Sequence, residues 1–292
     1  GVKSQVFPNA PAGLMFPGDT GFESGNKTNN PSWKNFAPRL GVVWDPKGDG
    51  RTSIRASWGM FYDLPHALFF YPYAVAAPWG NKVTLTNPAP NGFADPWATF
   101  PGGDPFPSRV TKDFRFPAQG SYVTNDFHLK TTYLEQWNLS VQHQFGRDWL
   151  ASVSYLGNNT IHLWTNTDLN PAVYLGTGAC NINGTAFSTC STTANYQQRR
   201  VLSLLNPTQG AFFAGLPTLD DGGTGNYSGL LTSLNRRLAK GVTVNANYTW
   251  SHCISDLATT EFRNGLYQSP SNRRYDRSNC AGTDRRHIFN LS

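Results

Sequence analysis

Charge is what this chain has least of. Charged residues are 14% of its 292 residues, against roughly 25% in an ordinary soluble domain. Long apolar runs are missing too. Nothing approaches the roughly 18 residues of a membrane helix, so any membrane crossing must be made by strands. The first residue is Gly1, and no charged and apolar leader follows it. The chain therefore reads as an internal piece of a longer protein, an expectation that an end at Ser292 in mid-strand supports.

Chemical signatures are equally sparse. The four cysteines, Cys180, Cys190, Cys253 and Cys280, have no C-x-x-C spacing, which removes the zinc-knuckle and dithiol redox motifs. They read instead as two loop-closing disulfides, with free thiols as the alternative; four cysteines allow three connectivities, and proximity points to Cys180 with Cys190 and Cys253 with Cys280. Disulfides imply an oxidising compartment. There is no G-x-S-x-G elbow and no H-E-x-x-H helix. Glu135, Asp220, Asp221 and Glu261 have no spacing that argues for general acid–base work. His252 beside Cys253 could suggest a Cys–His couple or a metal site; the plainer reading is a strand-end histidine near a disulfide. The expectation is no catalysis, no metal and no cofactor. The formal net charge of +6 does not indicate nucleic acid, because the basic residues are spread along the chain. Only Arg273, Arg274, Arg277, Arg285 and Arg286 bunch, and they read as a polar loop facing anionic lipopolysaccharide or solvent.

What the chain does have is alternation. From Val242 to Trp250, Val242, Val244, Ala246, Tyr248 and Trp250 fall on one face; Thr243, Asn245, Asn247 and Thr249 fall on the other. An apolar face ending in aromatics, opposite amides and hydroxyls, suits a wall between lipid and a wet lumen. Six further segments read as strands: about Phe36–Trp44, Thr52–Tyr62, Glu135–Phe145, Trp149–Tyr155, Ser228–Leu238 and Arg286–Ser292. Arg236 breaks the apolar face near a strand end, where a charge is cheapest in a membrane strand. Short turns at Asp45–Gly50, Gly146–Asp148 and Ala239–Gly241 alternate with long irregular stretches at about 64–130, 157–226 and 254–283. Short turns on one side and long loops on the other are the habit of outer-membrane barrels.

The expected fold is thus all-β: a partial antiparallel transmembrane β-barrel of about seven strands, one domain segment over residues 1–292. Trp44, Phe145 and Trp149 lie beside short turns and would form the periplasmic aromatic girdle; Trp58, Tyr62, Tyr155, Tyr248 and Trp250 would form the outer one. Arg39, Arg55, Arg237, Asn245 and Asn247 would face the lumen. The loop aromatics Phe69, Phe70, Tyr71, Tyr73, Trp79, Trp97 and Phe100 could stack on sugar rings or pin the loop to the rim.

The phrases themselves resemble a known family. The run Asn35–Asp63 (NFAPRLGVVWDPKGDGRTSIRASWGMFYD) resembles a hairpin of TonB-dependent outer-membrane receptors, more narrowly the Oar-like group that carries a carboxypeptidase-regulatory-like domain. Tyr133–Phe145 (YLEQWNLSVQHQF), Tyr227–Asp256 and Asp284–Ser292 (DRRHIFNLS) fit the same group in the same order. The resemblance implies a Gram-negative outer membrane and a barrel of about 22 strands closed by a plug. It also implies a TonB box pulled by the TonB–ExbB–ExbD complex and active uptake of a large or scarce substrate, such as an oligosaccharide or peptide. Plug, TonB box and regulatory-like domain have no counterpart in this chain. Seven strands of such a wall leave two unpaired edges, an aggregation hazard in isolation. Arg39, Arg55 and Arg237 would then contact the plug or attract anionic solutes. Two other readings stand beside import: a surface adhesion or structural barrel that anchors its loops, and a secreted soluble β-protein that binds carbohydrate.

Overall fold

The computed structural model describes residues 1–23, 31–65, 67–80, 92–98, 103–104, 106, 109–120, 122–124, 126–239, 241–256, 267–269, 272–280 and 282–292. Phe100, Glu261, and the turn residue Lys240 lie outside the described residues. The chain divides into two units. One comprises Gly1–Asn30, His66–His128 and Asp168–Thr218; the other comprises Pro31–Pro65, Leu129–Thr167 and Leu219–Ser292.

The second unit is the wall. Its strands are β1 (Arg39–Trp44), β2 (Thr52–Tyr62), β3 (Tyr133–Phe145) and β4 (Trp149–Asp168), and later β7 (Pro217–Ala239), β8 (Val242–Ser255), the two-residue β9 (Ser278–Asn279) and β10 (His287–Leu291). The sheet runs in the order β1-β2-β3-β4-β7-β8-β10, with β9 paired to β8 off this path. β1 and β10 are its two edges, so the sheet is open, as expected of part of a barrel.

Register decides which side chains share a face, because successive residues point to opposite sides. Leu40 pairs with Trp58, Val42 with Ala56 and Trp44 with Ile54. The row continues through Trp137, Leu139 and Val141 on β3, and Gly157, Tyr155 and Val153 on β4. Across the other half, Leu230 pairs with Trp250 and Leu234 with Ala246, while Phe289 pairs with Tyr248. The opposite face brings Arg55 to Ser140, Ser57 to Asn138 and Ser53 to Gln142. Ser140 pairs with Ser154, and Ser233 with Asn247. Leu40, Val42, Leu139, Trp250 and Phe289 are all exposed, Leu40 by 70%. Among the described residues of the wall these apolar side chains stay uncovered, unlike the inner face of a sandwich.

The strands are longer than their alternation suggests. β4 runs on to Asp168 and β7 starts at Pro217, so much of the stretch expected as loop at 157–226 is strand. β3 likewise starts at Tyr133 and β8 ends at Ser255, whereas β1 starts only at Arg39. A tilted strand needs about 9–11 residues to cross the hydrocarbon. Beyond that length neither face has to be apolar, so hydrogen-bonded strand continues without a periodic signature. His162, with φ of 57°, interrupts the pleat of β4 there. Trp164 is buried nearby, its Nε1 donating to Lys130 O at 2.6 Å.

The first unit is made of segments expected as loop, and it has its own core. Phe7, Phe16, Phe116, Tyr122, Phe213 and Leu216 are buried together, with Phe7 and Phe16 edge-to-face at 4.9 Å. Asp19, buried, accepts from the backbone N–H of Gln5 at 2.6 Å, Val6 at 2.9 Å and Phe16 at 2.8 Å. Asn170 is fully buried and donates to Ala214 O at 2.7 Å while accepting from Leu202 N at 2.9 Å. Buried Arg199 reaches Asn195 Oδ1, Val173 O and Thr192 O. A short helix, α1 (Tyr71–Ala74), and two more, α2 (Val201–Leu205) and α3 (Pro207–Gly210), complete it with a small hairpin. That hairpin is β5 (Cys180–Ile182) with β6 (Thr185–Phe187). Its Asn183-Gly184 turn has φ of 51° and 88°, the left-handed pair that a tight hairpin turn requires.

Candidate functional site

A concavity in the loop unit grows from its aromatic core. The chain reverses at Asp19, whose three accepted N–H bonds clamp the segment between Gln5 and Phe16. Burial opposes ionisation of Asp19, but bonds from Val6, Ser4, Phe16 and Gln5 outweigh it and hold the carboxyl below its ordinary value. This clamp presents Leu14, Met15, Phe16 and Phe22 to one side of a cleft of about 560 Å³. Tyr73 of α1, Ala76, Trp79, Tyr122 and Phe127 form the remainder.

Aromatic geometry fixes these walls. Trp79 meets Phe16 edge-on at 5.6 Å and Phe7 at 5.9 Å, while the residue stays 56% exposed. Phe22 meets Phe127 at 5.2 Å. Tyr73 donates to Thr124 O at 3.2 Å, and burial pushes its hydroxyl up to about 12. Tyr122 donates to Pro117 O at 2.6 Å and is also pushed up by burial. Glu23 lines the cleft and pairs with exposed His128. Such a cleft suits a ligand with flat apolar faces and few charges.

The other loop aromatics are divided. Phe70 packs near Tyr73 at 6.4 Å, and Trp97 meets Phe106 at 5.8 Å. Phe100 lies outside the described residues.

On the wall, Arg39 pairs with Gly59 and Val43 with Arg55, so both arginines lie on the polar face. Arg39 covers the Phe61 ring at 4.6 Å. Asn245 and Asn247 share that face, Asn247 Nδ2 donating to Asn245 Oδ1 at 2.7 Å. Arg237 falls where the register of β7 shifts, between Arg236 and Ala239. Arg236 stays with the apolar face and sits over Trp149 at 5.4 Å. Trp44, Phe145 and Trp149 lie at the short-turn end, Phe145 pairing directly with Trp149. Trp58, Tyr62 and Trp250 lie toward the long connections and Tyr248 at mid-strand, whereas Tyr155, expected in the outer girdle, lies nearer the short turn because β4 runs on to Asp168.

The chemically suggestive groups are committed to structure. Cys180 is bonded to Cys190 and Cys253 to Cys280. His252, beside Cys253, faces Asp284 at 3.3 Å. Asp284 also accepts from Cys253 N at 2.9 Å, and that bond leads the causes holding its carboxyl below the ordinary value. Asp220 pairs with Arg273. Asp221 accepts from Lys130 N at 2.7 Å. Among the described residues no His, Cys, Asp and Glu cluster could hold a metal ion.

The aromatic cleft is the feature that the sequence concealed. Its lining comes from residues 13–23, 73–79 and 122–127, and nothing in the spacing of Phe16, Trp79 and Tyr122 announces that they meet.

Residues 2–292 match the family described as the outer membrane beta barrel domain, and the chain belongs to that family. This puts it in the cell outer membrane and makes the apolar face a lipid-facing one. No curated protein matches the chain. Among solved structures, it is similar to the outer membrane transporter YddB from Escherichia coli. Identity is 11% and the TM-score 0.44, over 76% of this chain and 20% of that one. The chain therefore spans about a fifth of the length of that transporter.

Proposed function

We propose that this chain supplies wall and substrate-facing loops to a TonB-dependent receptor of the Oar-like group. It would take up a substrate too large or too scarce for porins, such as an oligosaccharide or peptide. The phrases at Asn35–Asp63, Tyr133–Phe145, Tyr227–Asp256 and Asp284–Ser292 support the family assignment within the outer-membrane barrels. The observation that carries the import reading is the aromatic cleft in a loop unit with its own core. A barrel that merely anchors its loops does not need a concave aromatic site, whereas capture of a dilute solute does. In this reading the plug and the TonB–ExbB–ExbD complex are contributed by the parent protein and its partners, and the chain performs no catalysis.

The test is uptake by cells carrying the whole parent protein. Fluorescent oligosaccharides and peptides should accumulate in the periplasm, and an uncoupler or loss of ExbB should stop accumulation while leaving surface binding intact. Trp79→Ala should weaken surface binding by about tenfold, the loss expected when a stacking ring of about 1–1.5 kcal/mol is removed. Accumulation that persists without the proton gradient sinks the energised-import reading. Binding without any accumulation favours the anchor reading.

A further inference from the structure

The side chains of the aromatic cleft give a ligand few polar partners. Among the described residues its lining has no lysine or arginine, and its one carboxylate, Glu23, is paired with His128. Tyr73 and Tyr122 already donate their hydroxyl hydrogens to Thr124 O and Pro117 O. The Thr124 hydroxyl is buried out of a ligand's reach. That leaves the Trp79 indole N–H as the side-chain donor of the described lining. A hexose carries several hydroxyls, and each one buried without a partner opposes binding. An anionic solute meets no cation there and faces Glu23.

The main chain supplies what the side chains lack. Gly120 bridges Phe213 and Thr124 bridges Thr218, both in parallel. Gly120 N donates to Phe212 O at 3.2 Å, and Thr124 N to Pro217 O at 3.4 Å. Main-chain groups of successive residues in an extended chain point to opposite sides. Val123 therefore turns its N–H and C=O away from the segment that holds Gly120 and Thr124. It is half-buried and lines the cleft. Among the described residues neither its N–H nor its C=O has a hydrogen bond. Met15, also half-buried in the lining, is in the same state. An unpaired edge of extended chain beside aromatic rings is a place where another strand can add.

We propose that the cleft takes an extended apolar peptide, hydrogen-bonded through its main chain to Val123 and seated with a side chain against the exposed Trp79. Each peptide residue brings one donor and one acceptor, so every second residue can pair with that edge while the amides between face away. The single carboxylate favours a neutral or cationic peptide over an acidic one. The inference rests on the reading of this cleft as the capture site for the imported solute, and it narrows that solute to a peptide.

The test is binding to the whole parent protein in detergent, read by fluorescence polarisation. The probe is a dye-labelled peptide with blocked ends, alternating leucine and threonine around a central phenylalanine. N-methylation of alternate amides in one phase removes the bonds to Val123 and should weaken binding by about tenfold. Methylation in the other phase should leave binding unchanged. Trp79→Ala should weaken the unmethylated peptide by about tenfold; should that variant fail to fold, the two methylated peptides decide on the wild type alone. Maltooligosaccharide in excess should not displace the probe. Absence of peptide binding, equal effects of both methylation phases, or displacement by maltooligosaccharide overturns the proposal. Phase-dependent binding without accumulation in cells upholds the peptide site and sinks the import reading alone. Energised accumulation of an oligosaccharide that Trp79→Ala abolishes upholds import and overturns the peptide assignment.

Discussion

Trp137 lies across Gly157: the two are cross-strand partners on the lipid-facing side, and a Cβ at Gly157 would fall inside the indole. Trp58 pairs with Trp137 from the other flank, so the indole is seated between an aromatic neighbour and bare backbone. A large ring over a glycine also keeps the β3–β4 ladder shielded where the glycine offers no side chain of its own. Gly157→Val should therefore displace Trp137 and cost about 1–3 kcal/mol, as overpacking generally does. Lower unfolding temperature and a shifted tryptophan emission, measured in detergent, check this. An unchanged emission would mean that the indole is not seated there.

The β1–β2 turn is tied by one carboxylate. Asp45 accepts from Lys47 N, Gly48 N and Gly50 N, the last at 2.7 Å. The Gly50 bond leads the causes that hold its carboxyl below the ordinary 3.8, ahead of the opposing effect of burial. A lowered folded value means stabilisation that is complete above the unfolded value and lost as pH falls through the folded one. Turn stability should thus be flat above pH 3.8 and fall below it. Asp45→Asn should remove that acid dependence, as amide exchange of Gly48 and Gly50 would show.

The Cys253–Cys280 bond ties the end of β8 to the connection that bears the arginines, and Cys280 N donates to Cys253 O at 3.0 Å. It closes a separation of 27 residues. A loop of that length loses about 3–4 kcal/mol of chain entropy on closure. Cys253→Ser with Cys280→Ser should leave strand content unchanged by circular dichroism and raise protease sensitivity between 256 and 284. Equal sensitivity with and without the bond would show that the other contacts suffice.

Asp19 organises the amino-terminal clamp of the loop unit. Asp19→Ala strands the N–H groups of Gln5, Val6 and Phe16, and the buried Phe16 donor left unpaired costs about 1–3 kcal/mol. Phe16 should then leave its place against Trp79, now 5.6 Å away. Faster local exchange of Val6 and Phe16, with β8 protected as before, is the expected result.

The wall was legible because its determinants are local. Each apolar residue from Val242 to Trp250 states its own side, and the pairing of Tyr248 with Phe289 and Trp250 with His287 only repeats that statement across strands. The strand extensions beyond Tyr155 and before Ser228 were not legible, because outside the hydrocarbon a paired strand has no need to alternate. Two loop-closing disulfides were legible, but three connectivities stood open and the fold selects Cys180–Cys190 and Cys253–Cys280.

The cleft and the placement of the loop arginines belong to tertiary structure. Ala12 N donates to Gln209 Oε1 across 197 residues, and Asn170 holds Ala214 O across 44. No window of sequence contains both partners, and aromatic, amide and guanidinium groups carry no period that would reveal them. Amino-acid order by itself determined an alternating strand wall and its short turns, because lipid and lumen act on each residue separately. Which loop aromatics meet around Phe16 and Trp79, and that Arg273 and Arg277 fold back against Asp220 and Asn226, was decided only when distant segments packed.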